Sequence, residues 1–199
     1  MEEVVTQTDS SPVAVAPRPK PTHGWAEWIR QGLRAATLRS VHVLPEGPGA
    51  WTMLLLISAV TAILTGASRL EVDGPATFDL QSWLFGWAPD AFLIFGIWFL
   101  LNWSREKATH ATPVAAWYLL TAIALLPISL AGVAIGALEA RGYLPQWWSD
   151  GGWIGWAIYA ALIVWVIAAT WRVSRAVTRS IGVAASLVLY VFVVFMFSS

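Results

Sequence analysis

The chain has 199 residues, of which 57% are hydrophobic and only 12% are charged, and its twelve Lys and Arg balance twelve Asp and Glu. A soluble domain carries about 25% charged residues, so this composition excludes an ordinary soluble fold and predicts a membrane protein. There is no cysteine. Disulfides, iron–sulfur clusters, thiolate zinc sites and thiol nucleophiles are therefore excluded.

Residues 1–22 have a polar, acidic start and a proline-rich end, PVAVAPRPKPT. Proline removes backbone donors and favours extended conformers, so we expect a disordered cytoplasmic tail. The segment has neither the basic nor the apolar region of a signal peptide, and we expect no cleavage.

Residues 23–44 contain an amphipathic stretch, GWAEWIRQGLRAAT, over residues 24–37. One helical face holds Trp25, Trp28, Ile29, Gly32, Leu33 and Ala36, and the other holds Glu27, Arg30, Gln31 and Arg34. A basic face opposite tryptophan is typical of a helix lying in the lipid headgroup layer. A helix packed on the cytoplasmic ends of its own bundle would have the same pattern, and the sequence does not separate the two.

Five apolar runs follow within residues 50–199, each long enough to cross about 30 Å of hydrocarbon with roughly 17–25 helical residues. They lie at about 50–68, 86–103, 114–138, 153–171 and 181–197. The predicted fold is all-α: a polytopic bundle of five transmembrane helices preceded by the interfacial helix. If the N-terminus is cytoplasmic, ten of the twelve Lys and Arg fall on the cytoplasmic side. The positive-inside rule thus predicts a multi-pass protein of the cell inner membrane, with its N-terminus inside and its C-terminus outside.

Small residues at helical spacing mark candidate packing faces, because bilayer helices associate where small side chains let backbones approach. The candidate packing positions are Ser58, Ala62, Gly66, Gly132, Gly136, Ala157, Ala161, Gly182 and Ser186. Pro127 predicts a bend in the third span that frees a carbonyl, which Ser129, a water or a neighbouring helix could satisfy. Such a bend is either a gate or a packing adjustment, and packing is the commoner case.

Chemistry-bearing residues are scarce in the predicted spans. None has an ionisable residue near its middle, and Asp90, about a turn inside the outer end of the second span, is the deepest candidate. We expect Asp90 to cap that helix or to lie at the interface. His23, His42 and His110 fall on the cytoplasmic side without an acidic cluster, and no hydrolase, nucleotide-binding or dinucleotide-binding motif is present. The sequence predicts no catalytic residue, metal site or cofactor, and no nucleic-acid partner.

Tryptophan is unusually frequent, with fourteen residues, four of them in QWWSDGGWIGW at 146–156. Twelve of the fourteen fall near the predicted membrane surfaces, where an amphipathic ring is favourable without any ligand. The predicted interfacial anchors are Trp25, Trp28, Trp83, Trp87, Trp147, Trp148, Trp153 and Trp156. Only Trp98 and Trp165 are predicted to lie deep. A ring-lined outer pocket is the less favoured interpretation of the cluster.

A polar cytoplasmic N-terminus, five spans, short loops and almost no C-terminal tail resemble the organisation of Yip1-like membrane proteins over residues 24–199. The Asp-Leu-Tyr-Gly-Pro signature of the eukaryotic members is missing, since Asp79-Leu80 continues as Gln-Ser on the outer side. The resemblance implies a membrane-organising or partner-binding role, and it carries over no functional residue.

The sequence therefore favours a non-enzymatic membrane scaffold or accessory subunit, whose partners are the lipid bilayer and other membrane subunits or a second copy. A transporter or flippase of a lipid or neutral small molecule is the alternative, using the region of Pro127. An intramembrane enzyme is the least favoured, because no acid, base or metal constellation is visible.

Overall fold

The structure is a computed structural model, and it describes residues 24–71, 87–103, 113–145 and 153–198. In these ranges all regular structure is helical. The helices are α1 (Trp25–Ala36), α2 (Ala50–Ser68), α3 (Trp87–Trp103), α4 (Pro113–Ala140), α5 (Trp153–Val177) and α6 (Ile181–Ser198), and a short 3₁₀ turn (Arg69–Glu71) follows α2. The predicted all-α fold is confirmed, and the predicted tail at 1–22 lies outside the described residues.

Three of the helices, α2, α4 and α5, are long and apolar enough to cross a membrane. The other two predicted spans correspond to shorter apolar stretches, Asp90–Leu101 in α3 and Ile181–Val194 in α6. Among the described residues, length and composition thus support three membrane-spanning helices where the sequence predicts five. These three helices indicate a membrane protein.

Helix α4 is the centre of the fold. It contacts α1, α2, the 3₁₀ turn, α3 and α5, while α5 packs on α6, and α6 packs on α3. Trp117 near the start of α4 lies beside Ser174 near the end of α5, so these two helices are antiparallel. The α-helix continues through Pro127. Because proline has no backbone N–H, the carbonyl of Ile123 lacks its usual helical donor there.

Helix α2 packs on the core through large apolar side chains, not through its small residues. Met53, Leu56, Ile57 and Val60 contact the buried cluster. The predicted packing residues Ser58, Ala62 and Gly66 are exposed instead, on the face pointing away from the core. No residue of α2 is buried within the described chain.

The other predicted packing positions behave similarly. Ala157, Ala161, Gly182 and Ser186 are exposed, and Gly132 and Gly136 are only half-buried. Close approach occurs at two other glycines: a Cβ added to Gly32 would lie 2.5 Å from the Ile123 side chain, and one added to Gly96 would overlap the ring of Tyr190. Spacing along one helix shows that small residues share a face, but it does not show which neighbour that face meets.

Candidate functional site

Helix α1 is docked against the bundle. Trp28, Gln31, Gly32 and Ala35 form its buried face, and α1 contacts both α4 and α5. Of the two interpretations of the amphipathic stretch, the structure shows the helix packed on its own bundle. Trp28, predicted as an interfacial anchor, is only 2% exposed and packs inside the protein. The docked face is rotated from the predicted apolar face, because Gln31 is buried while Trp25 and Leu33 are exposed.

The buried Gln31 is tolerated because its amide is hydrogen-bonded at both ends. Its Nε2 donates to Oε1 of Glu27 over 2.7 Å, and its Oε1 accepts the backbone N–H of His42 over 3.1 Å. Glu27 also pairs with Arg30 on the exposed side of the helix, 2.6 Å apart. Gln31 therefore connects the segment that follows α1, at His42, back to the helix.

Two tryptophans tie the docked helix and α4 to α5. The indole N–H of Trp165 donates to the backbone carbonyl of Ala36 at the end of α1, 2.6 Å away. The indole N–H of the fully buried Trp117 donates to Oγ of Ser174 over 2.9 Å. The buried indole N–H of Trp117 thus has an acceptor, as a low-dielectric interior demands.

An apolar cavity of about 520 Å³ lies between α4, α5 and α6. Ligand sites in proteins occupy roughly 300–1,000 Å³, so the volume is sufficient for a small molecule. The lining side chains come from the middle of each helix and are Leu125, Ile128, Ser129, Gly132, Tyr159, Leu162, Ile163, Val166, Ile167, Thr170, Val188, Val191 and Phe192. The three helices thus border a mainly hydrocarbon surface.

One polar group in the cavity wall has no protein partner. Thr170 is 1% exposed, and its Oγ1 finds no hydrogen-bond partner among the described residues. Thr121 is in the same state at 5% exposure, but it does not line the cavity. An unpaired buried hydroxyl costs about 1–3 kcal/mol. At 1% exposure, the side chain of Thr170 is scarcely accessible from the cavity.

The three predicted polar or kink positions are not brought together. Ser129 lines the cavity and Pro127 is followed in the chain by the lining residue Ile128, whereas Asp90 does not line the cavity and lies near Tyr118. Asp90 was expected near the outer end of its span, yet Tyr118 lies in the second turn of α4, at the predicted cytoplasmic end. The first turn of α3 therefore lies near the start of α4, which counts against a position of Asp90 at the outer end of a complete span.

The predicted aromatic belts are described only in part. Trp25, Trp153 and Trp156 are exposed, as anchors must be. Trp87 begins α3, while Trp83, Trp147 and Trp148 lie outside the described residues. Of the two predicted deep residues, Trp98 is half-exposed beside Phe95, and Trp165 contacts the end of α1.

The sequence predictions missed Thr170, Ser174 and Trp117. Thr170 and Ser174 are four residues apart in ATWRVS, so they share one face of α5, and that spacing was the available signal. In the described ranges no group of three or more His, Cys, Asp or Glu could hold a metal ion. No known protein family, curated protein or solved structure matches the chain.

Proposed function

We propose that this protein is a non-enzymatic integral membrane scaffold or accessory subunit that organises a membrane complex. The observation that supports this proposal is the exposed face of small residues on α2, formed by Ser58, Ala62 and Gly66. Nothing among the described residues lies within 4 Å of a Cβ added to Gly66. A Yip1-like role would agree with this proposal, although it rests on organisation alone.

The α2 face is suited to another helix because its own bundle uses the opposite side. Met53 and Val60 pack on the core, and residues spaced four apart from Ser58 point the other way. In a bilayer the hydrophobic effect does not distinguish a lipid tail from a helix, so association depends on close van der Waals packing. A stripe of serine, alanine and glycine permits that packing, and a stripe of large side chains does not.

The membrane arrangement belongs to the same proposal. Five spans with a cytoplasmic N-terminus in the cell inner membrane would put ten of the twelve Lys and Arg inside. Helices α3 and α6 would then cross with less apolar length than α2, α4 and α5, and the position of Asp90 near Tyr118 is the observation that agrees least with this arrangement. A reporter fused after residue 199 should be active only outside the cytoplasm, and cytoplasmic activity would contradict the five-span arrangement.

Cross-linking tests the scaffold proposal cleanly because the chain has no cysteine. S58C and A62C, oxidised in native membranes, should join α2 to a second copy or to another membrane protein, since a disulfide needs Cα atoms within roughly 7 Å. M53C, on the core side of the same helix, is the matched control and should give no product. If S58C and A62C both stay uncross-linked and the gently extracted chain runs alone as a monomer, the proposal is wrong.

Transport of a lipid or neutral small molecule is the second candidate, and the cavity between α4, α5 and α6 favours it. Proteoliposomes containing the chain should then take up or flip a neutral lipid faster than protein-free vesicles. Pro127→Ala and Gly132→Leu should both slow that movement. Uptake equal to the protein-free rate, or unchanged in both variants, would exclude the cavity as a transport path.

A further inference from the structure

We propose that the outward side of the docked helix α1 binds the headgroups of anionic phospholipids. This arginine face consists of Trp25, Arg30, Leu33, Arg34 and Arg39. The inference goes beyond the scaffold proposal and does not depend on it, because the ligand is a lipid and binding requires no partner subunit.

Helix α1 has two different faces, and docking on the bundle uses only one of them. The buried face is formed by Trp28 and its neighbours, whereas Trp25 is 63% exposed and Leu33 is 46% exposed. The Arg30 side chain is 68% exposed. Exposed tryptophan and leucine among arginines are typical of a helix in contact with the headgroup layer, where the apolar side chains enter lipid and the guanidinium groups meet phosphate.

The turn that ends α1 adds a third arginine to this face. Leu38 has a φ of 58°, and the backbone N–H of Arg39 donates to the carbonyl of Arg34 over 2.8 Å. A hydrogen bond of this kind, next to a left-handed residue, ends the helix and folds the chain back on its last turn. Arg39 is thereby held close to Arg34, and both belong to the same end of α1.

The depth of α1 agrees with contact to headgroups. The indole of Trp165 reaches the carbonyl of Ala36, and Arg172, the first charged residue of α5, lies seven residues further on. Seven helical residues span roughly 10 Å. If α5 crosses the bilayer, Arg172 must lie at headgroup level. The end of α1 is then at about the depth of interfacial helices, which enter the boundary by about 5–10 Å.

The charge at this end of the bundle selects anionic lipid over zwitterionic lipid. Residues 24–49 and 172–179 contain six arginines and two glutamates, which gives a net charge of +4 with histidine neutral. The two segments lie at the same end, because Gly32 meets Ile123 in the first half of α4, where Trp117 is bonded to Ser174. Each basic residue at an anionic membrane surface raises the affinity about fivefold.

Fluorescence quenching by labelled lipids tests the arginine face in the full chain. Thr37 is exposed at the end of α1, and the chain has no cysteine, so T37C can carry a single bimane label. The labelled chain is reconstituted in vesicles of phosphatidylcholine with about one fifth phosphatidylglycerol. The same mole fraction of either lipid carries a nitroxide near its headgroup. We expect phosphatidylglycerol to quench about fivefold more than phosphatidylcholine.

Two controls separate binding by the arginines from general lipid contact. R30Q/R34Q/R39Q in the T37C chain keeps polar side chains and removes three charges, so the ratio of the two quenching values should fall to about one. R141Q, which follows the far end of α4, should leave the ratio unchanged. In the chain with all its arginines, about 1 M salt should also lower the ratio towards one, because salt screens exposed charges.

These measurements decide the proposal in both directions. Preferential quenching by phosphatidylglycerol that is lost in the triple variant and at high salt, and kept in R141Q, supports it. Equal quenching by the two lipids in the chain with all its arginines would overturn it and would indicate that the arginines face water or an acidic protein surface. A preference that survives in the triple variant would also overturn it, since the arginines of α1 would not be its source.

Discussion

The two halves of α4 differ in how completely the rest of the chain covers them. From Pro113 to Leu126 the buried residues are Ala116, Trp117, Leu119, Leu120, Thr121, Ile123 and Ala124, whereas from Pro127 to Ala140 they are only Ile128 and Ala137. Both halves are similarly apolar in sequence. The difference comes from neighbours: α1 fills the space beside the first half, and an open cavity borders the second.

The contrast shows what a short docked helix contributes. Helix α1 has twelve residues and brings Trp28 and Gly32 against the first half of α4, together with the hydrogen-bonded Gln31. The second half has no equivalent helix in the described part of the chain. Substitutions in the first half should therefore be costly, and equivalent substitutions in the second half should be tolerated.

The largest expected difference is between Gly32→Leu and Gly132→Leu. At Gly32 even a Cβ would lie 2.5 Å from Ile123, so leucine should undock α1 and cost about 1–3 kcal/mol or more. At Gly132 the space is open, and leucine should raise stability by up to about 1 kcal/mol through better helix propensity. Thermal unfolding followed by tryptophan fluorescence measures both. Equal destabilisation of the two variants would show that the two halves of α4 do not differ in how tightly they are packed.

Replacing Gln31 by leucine tests whether α1 is held by its polar contacts as well as by packing. The change leaves the backbone N–H of His42 without its acceptor, and we expect a loss of about 1–3 kcal/mol. Limited proteolysis should cut faster between residues 37 and 49. Arg30→Leu on the exposed side serves as the control, since its ion pair with Glu27 is worth little. Identical cleavage rates for the Gln31 variant and the unmodified chain would contradict this contact.

Ser174→Ala probes the link between α4 and α5. It leaves the buried indole N–H of Trp117 without an acceptor, and we expect a loss of about 1–3 kcal/mol in the thermal midpoint experiment. Adding Trp117→Phe to Ser174→Ala should cost less than the sum of the two single changes, because the unpaired donor is then gone. Strict additivity would show that the hydrogen bond is not formed in the membrane.

The smallest effect is expected from Thr121→Val. Its hydroxyl is buried without a partner in the densely packed half, so removing it should be neutral or stabilise the chain by up to about 1 kcal/mol. The same thermal measurement, with Ser174→Ala as the reference, checks the sign. Destabilisation as large as that of Ser174→Ala would mean that Thr121 has a hydrogen-bond partner after all.

Helix positions could be predicted from the sequence because apolar length is a local property. The predicted run at 114–138 corresponds to α4 at Pro113–Ala140, and the predicted run at 50–68 corresponds to α2. Which side chains of each helix face the core was predictable only in part. The periodicity of α1 placed Trp28 and Gly32 correctly, but Gln31 was assigned to the polar face, because burial of an amide depends on acceptors and donors brought from elsewhere in the chain.

The candidate site shows the same limit. The sequence singled out Pro127 and Ser129 in an apolar helix, and Ser129 lines the cavity. Thr170 could not be singled out, since a threonine in an apolar helix usually satisfies its hydroxyl with a carbonyl of the preceding turn. Whether it does so depends on the geometry of the folded helix and not on local sequence.

The docking of α1 also has a consequence for the order of events during synthesis. Ala36 accepts a hydrogen bond from Trp165, which the ribosome adds 129 residues later. At about 5–20 residues per second, α1 must wait roughly ten seconds before its binding surface exists. A tryptophan-bearing amphipathic helix can spend that interval in the lipid headgroup layer. Its later transfer onto α4 and α5 would then follow the synthesis of α5, before α6 at Ile181–Ser198 is in place.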